Sequence, residues 1–230
     1  LLCISYKRQR SLTVIELPKD FSRMAVFSMT SVFISTLGQS SDFILLDYFD
    51  SSLIEVGKYS LATIFYMGAA TITASIQTVV TPKFTALLDS PVKFKAYLLK
   101  ISSKTFLVGI SVSVLLLLTA SVLEGVYFDE SYKGFFTYLF LLLLKYVIWS
   151  LYAVLGAAML GAGIYRPGIW IALVSTSICF LLGYPLVKEF GALGAASAQI
   201  VTAFFTLMII WWVQKREFER LFTTLPVTSR

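Results

Sequence analysis

Two consecutive apolar stretches within Ser28–Thr81, each long enough to cross a bilayer, constrain this chain more than any other feature. They are joined by the short acidic connection Asp47–Glu55. A membrane span takes roughly 20 residues. Each stretch also carries a polar stripe at helical spacing. On the first, Ser28, Ser31, Ser35, Gln39 and Asp42 recur every three or four residues and so share one face. On the second, Tyr59, Thr63, Tyr66, Ala70, Thr73, Gln77 and Thr81 do the same, opposite an apolar face of Leu61, Phe65, Ile72, Ile76 and Val79. Hydrocarbon solvates neither hydroxyls nor amides, so such stripes must face other helices or water. A single Ser or Thr can bond back to its own helix. Two adjacent stripes ending on Gln and Asp point instead to the wall of a shared polar cavity.

The rest of the chain agrees with a membrane setting. Hydrophobic residues make up 57% and charged residues only 14%, against about 25% charged in soluble domains. With no His and only Cys3 and Cys179, His-based acid–base catalysis, His-containing metal sites and CxxC chemistry are excluded. Cys179 falls inside a predicted span and reads as a small buried hydrophobe. No catalytic residue, metal site or cofactor is expected, and the net charge of +6 does not indicate nucleic-acid binding, because the basic residues flank the spans.

Hydropathy predicts six spans, at about 24–46, 58–81, 105–123, 134–162, 169–187 and 194–213, with the second ending at Pro82. Residues 1–23 read as the end of a preceding span followed by a basic linker, and 214–230 as a charged, solvent-exposed tail. Lys83–Lys104, with Lys93, Lys95, Lys100 and Lys104 among aromatic and aliphatic residues, reads as an interfacial amphipathic helix. The chain opens on Leu1 rather than Met, and the expectation is a piece of a longer protein.

Lys and Arg set the orientation. One set of connections and ends holds fifteen of them (Lys7, Arg8, Arg10, Lys19, Arg23, Lys83, Lys93, Lys95, Lys100, Lys104, Arg166, Lys215, Arg216, Arg220, Arg230) and the other holds Lys58, Lys133 and Lys188. That asymmetry places both chain ends in the cytoplasm. The remaining cation, Lys145, lies about eleven residues into the fourth predicted span, roughly 16 Å deep at 1.5 Å per residue. Intramembrane Lys costs from about 2.5 kcal/mol upward and is a functional candidate by default. Tyr138, Trp149 and Tyr152 fall on its face of the helix. The alternative is a purely structural salt bridge to Asp42.

Asp42-Phe-Ile-Leu-Leu, an acidic spacer and Val56-Gly-Lys-Tyr-Ser-Leu-Ala62 resemble a signature of polysaccharide flippases, the Wzx-type O-antigen and lipid-linked oligosaccharide exporters of the multidrug/oligosaccharidyl-lipid/polysaccharide superfamily. Tyr184-Pro-Leu-Val187, Phe190-Gly-Ala-Leu-Gly-Ala-Ala-Ser-Ala198 and Pro82-Lys-Phe84 resemble further segments of that family. The resemblance covers nearly the whole chain. It implies an all-α, six-transmembrane-helix bundle, the carboxy-terminal lobe of a two-lobe, MATE-like transporter fold in the bacterial inner membrane. It further implies alternating access for an undecaprenyl-type lipid-linked oligosaccharide, shared with an amino-terminal lobe that this sequence lacks. Lys145 would meet an anionic headgroup or sugar, and the aromatics would stack on sugar rings. Asp42 would hold a coupling proton or sodium ion. The expected cavity residues are Ser35, Gln39, Asp42, Tyr66, Thr73, Gln77, Tyr138, Lys145, Trp149 and Tyr152. A cation-coupled multidrug exporter of the same superfamily is the alternative, and a membrane-embedded glycan transferase or polymerase a more distant one.

Overall fold

The computed structural model describes residues 21–49, 52–126, 132 and 134–224, with side chains from 25 to 223. The basic linker at 1–20, Asp50, the acidic turn carrying Asp129, Glu130 and Lys133, and the last residues 225–230 lie outside the described residues. The described chain is all-helical: α1 Phe21–Tyr48, α2 Leu53–Ala86, α3 Pro91–Val126, α4 Phe135–Gly161 and α5 Arg166–Thr224. Four of them, α2 to α5, are long and apolar enough to cross a membrane. Their Ser and Thr hydroxyls largely donate to carbonyls one turn back on the same helix, as Thr63 does to Tyr59 and Thr119 to Leu115. Self-satisfaction of this kind lets a hydroxyl sit in an apolar setting at little cost.

At 59 residues, α5 would run about 88 Å if straight, far more than one bilayer thickness. Gly191 breaks it with a backbone at φ 54, ψ −130, a left-handed conformation that glycine adopts without penalty. The two arms, residues 166–190 and 192–224, fold back on each other. A Cβ at Gly194 would collide with the Leu186 carbonyl, and one at Gly183 would touch the Ala198 methyl at 4.0 Å. Small residues therefore set the spacing of this helical hairpin.

Two expectations about boundaries change. Pro82 does not end the second helix, which continues to Ala86. The reason is packing: Phe84 is fully buried against Phe94 of α3, and a Cβ at Gly161 of α4 would lie 2.7 Å from the Thr81 carbonyl oxygen. Neighbouring helices at this range hold a proline-interrupted helix straight enough to pack. For the same reason Lys83–Lys104 is not one interfacial helix. A turn at 87–90, closed by hydrogen bonds from Leu87 N to Phe84 O and Ser90 N to Leu87 O, divides it between the end of α2 and the start of α3. Pro91 then occupies the first turn of α3, where its missing N–H costs nothing. The expected solvent-exposed tail is likewise helical to Thr224, with Gln214 and Phe218 buried and the Phe218 and Phe222 rings edge-on to Phe94.

The bundle has two apolar clusters. One, around Leu46, Tyr59, Phe135, Leu139, Tyr146 and Val187, fills the end near the α1–α2 connection. The other, around Val80, Phe84, Phe94, Val154 and Phe218, fills the opposite end. Helix α1 packs on α5 and α2 packs on α4, with α3 covering α4 from outside.

Candidate functional site

Polar contacts tie the two helix pairs internally. Between α1 and α5, Thr176 Oγ1 donates to the Ile34 carbonyl at 3.0 Å and Ser41 Oγ lies 3.0 Å from Cys179 Sγ. Gly38 permits this approach, since a Cβ there would sit 2.5 Å from Thr176 Oγ1. Between α2 and α4, Thr73 Oγ1 and Tyr146 OH share a hydrogen bond of 2.9 Å. Gln77 Nε2 donates to the Ala153 carbonyl at 2.7 Å, and Thr85 Oγ1 to the Gly161 carbonyl at 2.8 Å. Small and hydrogen-bonding residues are the usual adhesive between helices that gain nothing from hydrophobic burial in lipid.

Between the two pairs lies a cavity of about 680 Å³. Its α1 wall carries Ser28, Ser31, Ser35 and Gln39, and its α2 wall Tyr66, Met67, Ala70, Thr71 and Ala74. Lys145, Trp149 and Tyr152 project from α4, Thr176 and Cys179 from the first arm of α5, and Gln199, Thr202 and Thr206 from the second. Thr202 Oγ1 is buried without a hydrogen-bond partner. Such a volume falls within the range of ordinary ligand sites, about 300–1,000 Å³.

Lys145 is the one charged side chain among the residues that line this cavity. It is buried, and its Nζ stands 4.7 Å from the centre of the Tyr66 ring, which is itself edge-on to Tyr146. Among the described residues no carboxylate lies within 4.0 Å of Nζ. A desolvated cation–π contact gives about 2 kcal/mol, and an intramembrane Lys costs about 2.5 kcal/mol or more. The ring alone does not cover that cost.

Asp42 is therefore placed differently from expectation. It lies three residues past Gln39 and does not line the cavity. Its carboxylate accepts the Tyr59 hydroxyl at 2.5 Å on Oδ2 and the Phe43 amide at 3.0 Å on Oδ1. Tyr59 is fully buried, edge-on to Phe43 and Tyr138. This knot joins α1 to α2. Tyr138 belongs to it rather than to the cavity wall.

Of the expected cavity residues, the structure gathers Ser35, Gln39, Tyr66, Lys145, Trp149 and Tyr152 around one space. Thr73 and Gln77 lie off it, engaged by α4: Tyr66 and Ala70 of the stripe face the cavity together with Met67, Thr71 and Ala74, whereas Thr73 and Gln77 turn to Tyr146 and the Ala153 carbonyl. Residues Gln199, Thr202 and Thr206 share one face at helical spacing, a signal as plain as the α1 stripe. Their place in the wall became evident only once α5 folded back to put that face opposite α1. No family model, curated protein or solved structure matches this chain.

Proposed function

We propose that this chain is one lobe of a membrane flippase for an anionic, lipid-linked oligosaccharide. The observation that carries the reading is a cation inside a hydrogen-bonding cavity, Lys145, with no carboxylate in ion-pair contact among the described residues. A phosphate or pyrophosphate headgroup offers the missing countercharge, while Tyr66, Trp149 and Tyr152 offer ring faces to sugars. Serine, threonine and glutamine hydroxyls and amides along α1 and α5 supply hydrogen bonds for sugar hydroxyls. The resemblance of the Asp42–Ala62 and Tyr184–Ala198 segments to polysaccharide flippases supports the same reading.

On this reading α5, folded at Gly191, crosses the bilayer twice and α1 to α4 once each. That makes six crossings in the inner membrane of a bacterium, with both chain ends cytoplasmic. No covalent step is involved. The lobe would rock against an amino-terminal lobe so that the cavity faces each side in turn. A drug exporter of the same fold is less well supported, because Asp42 is withdrawn from the cavity by Tyr59 and Lys145 repels cationic drugs.

The test is Lys145→Met in the full-length protein. Membrane abundance should stay within about twofold, since no ion pair is broken, while polysaccharide export falls at least tenfold. Lys145→Arg should retain part of the export, as it keeps the charge and alters its geometry. Normal export by an abundant Lys145→Met protein would end the proposal.

A further inference from the structure

A second groove, of about 280 Å³, runs along the outside of the α5 hairpin, between its two arms. Its composition changes in steps along its length. At the mouth, beside the α4–α5 turn, stand Arg166 on the first arm and Arg216 on the second. One turn deeper come Trp170 and Trp212, and another turn deeper Val174 and Ile209. Because the arms are antiparallel, the two sequences run through the same order from opposite directions. The groove thus passes from guanidinium to indole to aliphatic in about 12 Å, at 1.5 Å per residue.

Neither indole is part of a core, since Trp170 is 70% exposed and Trp212 59%. Arg216 stacks over Trp212 at 5.7 Å, which holds its guanidinium at the mouth. Glu217 also borders the groove, but its carboxylate is engaged by Arg220 at 3.4 Å. The mouth therefore presents two cations, at the end of the bundle that also carries Lys215 and Arg220. Arg–Trp belts mark the depth of lipid headgroups, and basic clefts between membrane helices receive anionic ones.

We propose that this groove is a binding site for a single anionic phospholipid of the bilayer, its phosphodiester headgroup between Arg166 and Arg216 and one acyl chain along Val174 and Ile209. The order of chemistry along the groove matches the order along such a lipid: anion, ester-bearing interface, hydrocarbon. The site stands apart from the transport reading and requires only that α5 be embedded in a bilayer. Of the residues that line it, Ile171 alone also borders the cavity.

The experiment uses the full-length protein in nanodiscs of phosphatidylcholine, into which brominated-chain phosphatidylglycerol or brominated-chain phosphatidylcholine is titrated. Bromine quenches indoles it touches. Tryptophan quenching should favour the glycerol lipid by roughly three- to tenfold. Arg166→Gln/Arg216→Gln should bring that preference to within about 1.5-fold of unity, and Arg166→Lys/Arg216→Lys should keep most of it. Trp170→Phe/Trp212→Phe should remove the headgroup-selective part of the quenching. Millimolar inorganic phosphate should not compete, because it brings no acyl chain. Equal quenching by the two lipids in the wild-type protein would overturn the proposal, as would a preference that survives a folded double-Gln variant or one abolished by inorganic phosphate. If the double-Gln variant does not fold, each single Gln variant should lose part of the preference, and undiminished preference in both would equally overturn it.

Discussion

Removing the Tyr59 hydroxyl isolates the hydrogen bond that ties α2 to Asp42 of α1. In Tyr59→Phe the ring keeps its place against Phe43 and Tyr138, and only the donor to Asp42 Oδ2 is lost. Asp42 is 5% exposed, so the freed oxygen gains little water and keeps only the Phe43 amide on its other oxygen. Hydrogen bonds to charged groups contribute about 1.5–3 kcal/mol in soluble proteins, and interhelical ones in membranes about 0.6 kcal/mol with a maximum near 1.7. The expected loss is therefore about 1–2 kcal/mol. Asp42→Leu removes the acceptor, so the double variant leaves no buried orphan and should lose less than the sum of the singles, by about 1 kcal/mol. The readout is unfolding of the purified full-length protein in mixed micelles titrated with a denaturing detergent, followed by helicity. A Tyr59→Phe protein within about 0.3 kcal/mol of wild type, in an additive cycle, would show that hydroxyl and carboxylate are not paired in the folded protein.

Two further outcomes follow from the packing and the charge pattern. Gly161→Val should destabilise by about 1–3 kcal/mol in the same assay, because its Cβ would lie 2.7 Å from the Thr81 carbonyl and 2.8 Å from Phe84 Cβ; a neutral effect would refute the close α2–α4 contact. In a background without Cys3 and Cys179, Ser52→Cys should react with a membrane-impermeant maleimide on intact cells and Ser90→Cys only after permeabilisation, and the reverse pattern would overturn the orientation.

How far the sequence speaks depends on which question is put to it. Apolar length locates the helices well, because a run such as Thr105–Leu123 has few other uses, and Lys145 stands out by depth alone. The rotation of a helix about its axis is harder. Thr73 and Gln77 read as cavity-facing because a polar stripe needs some polar environment, but a carbonyl and a tyrosine hydroxyl on α4 satisfy that need as well as water does. Asp42 reads as cavity-facing for the same reason. Its partner, Tyr59, lies 17 residues away across a connection, and nothing in either residue's own stripe announces the pairing. Where helices end is set by neighbours: Pro82 signals a stop locally, and the burial of Phe84 overrides it.

The hairpin at Gly191 also bears on how the chain enters the membrane. With so tight a turn, and with the Leu186 carbonyl already against Gly194 across it, the second arm has no slack to follow the first later. On the proposed reading in which α5 crosses twice, both arms pass into the lipid together, as a preformed pair. The leading tip carries Lys188 beside Glu189 and otherwise only apolar or small residues. Carried across together, the two side chains have no net charge, so the membrane potential neither assists nor opposes their passage. Insertion of this segment would then depend on desolvating the tip, and a change that unbalances it, such as Glu189→Gln, would delay assembly without touching the finished fold.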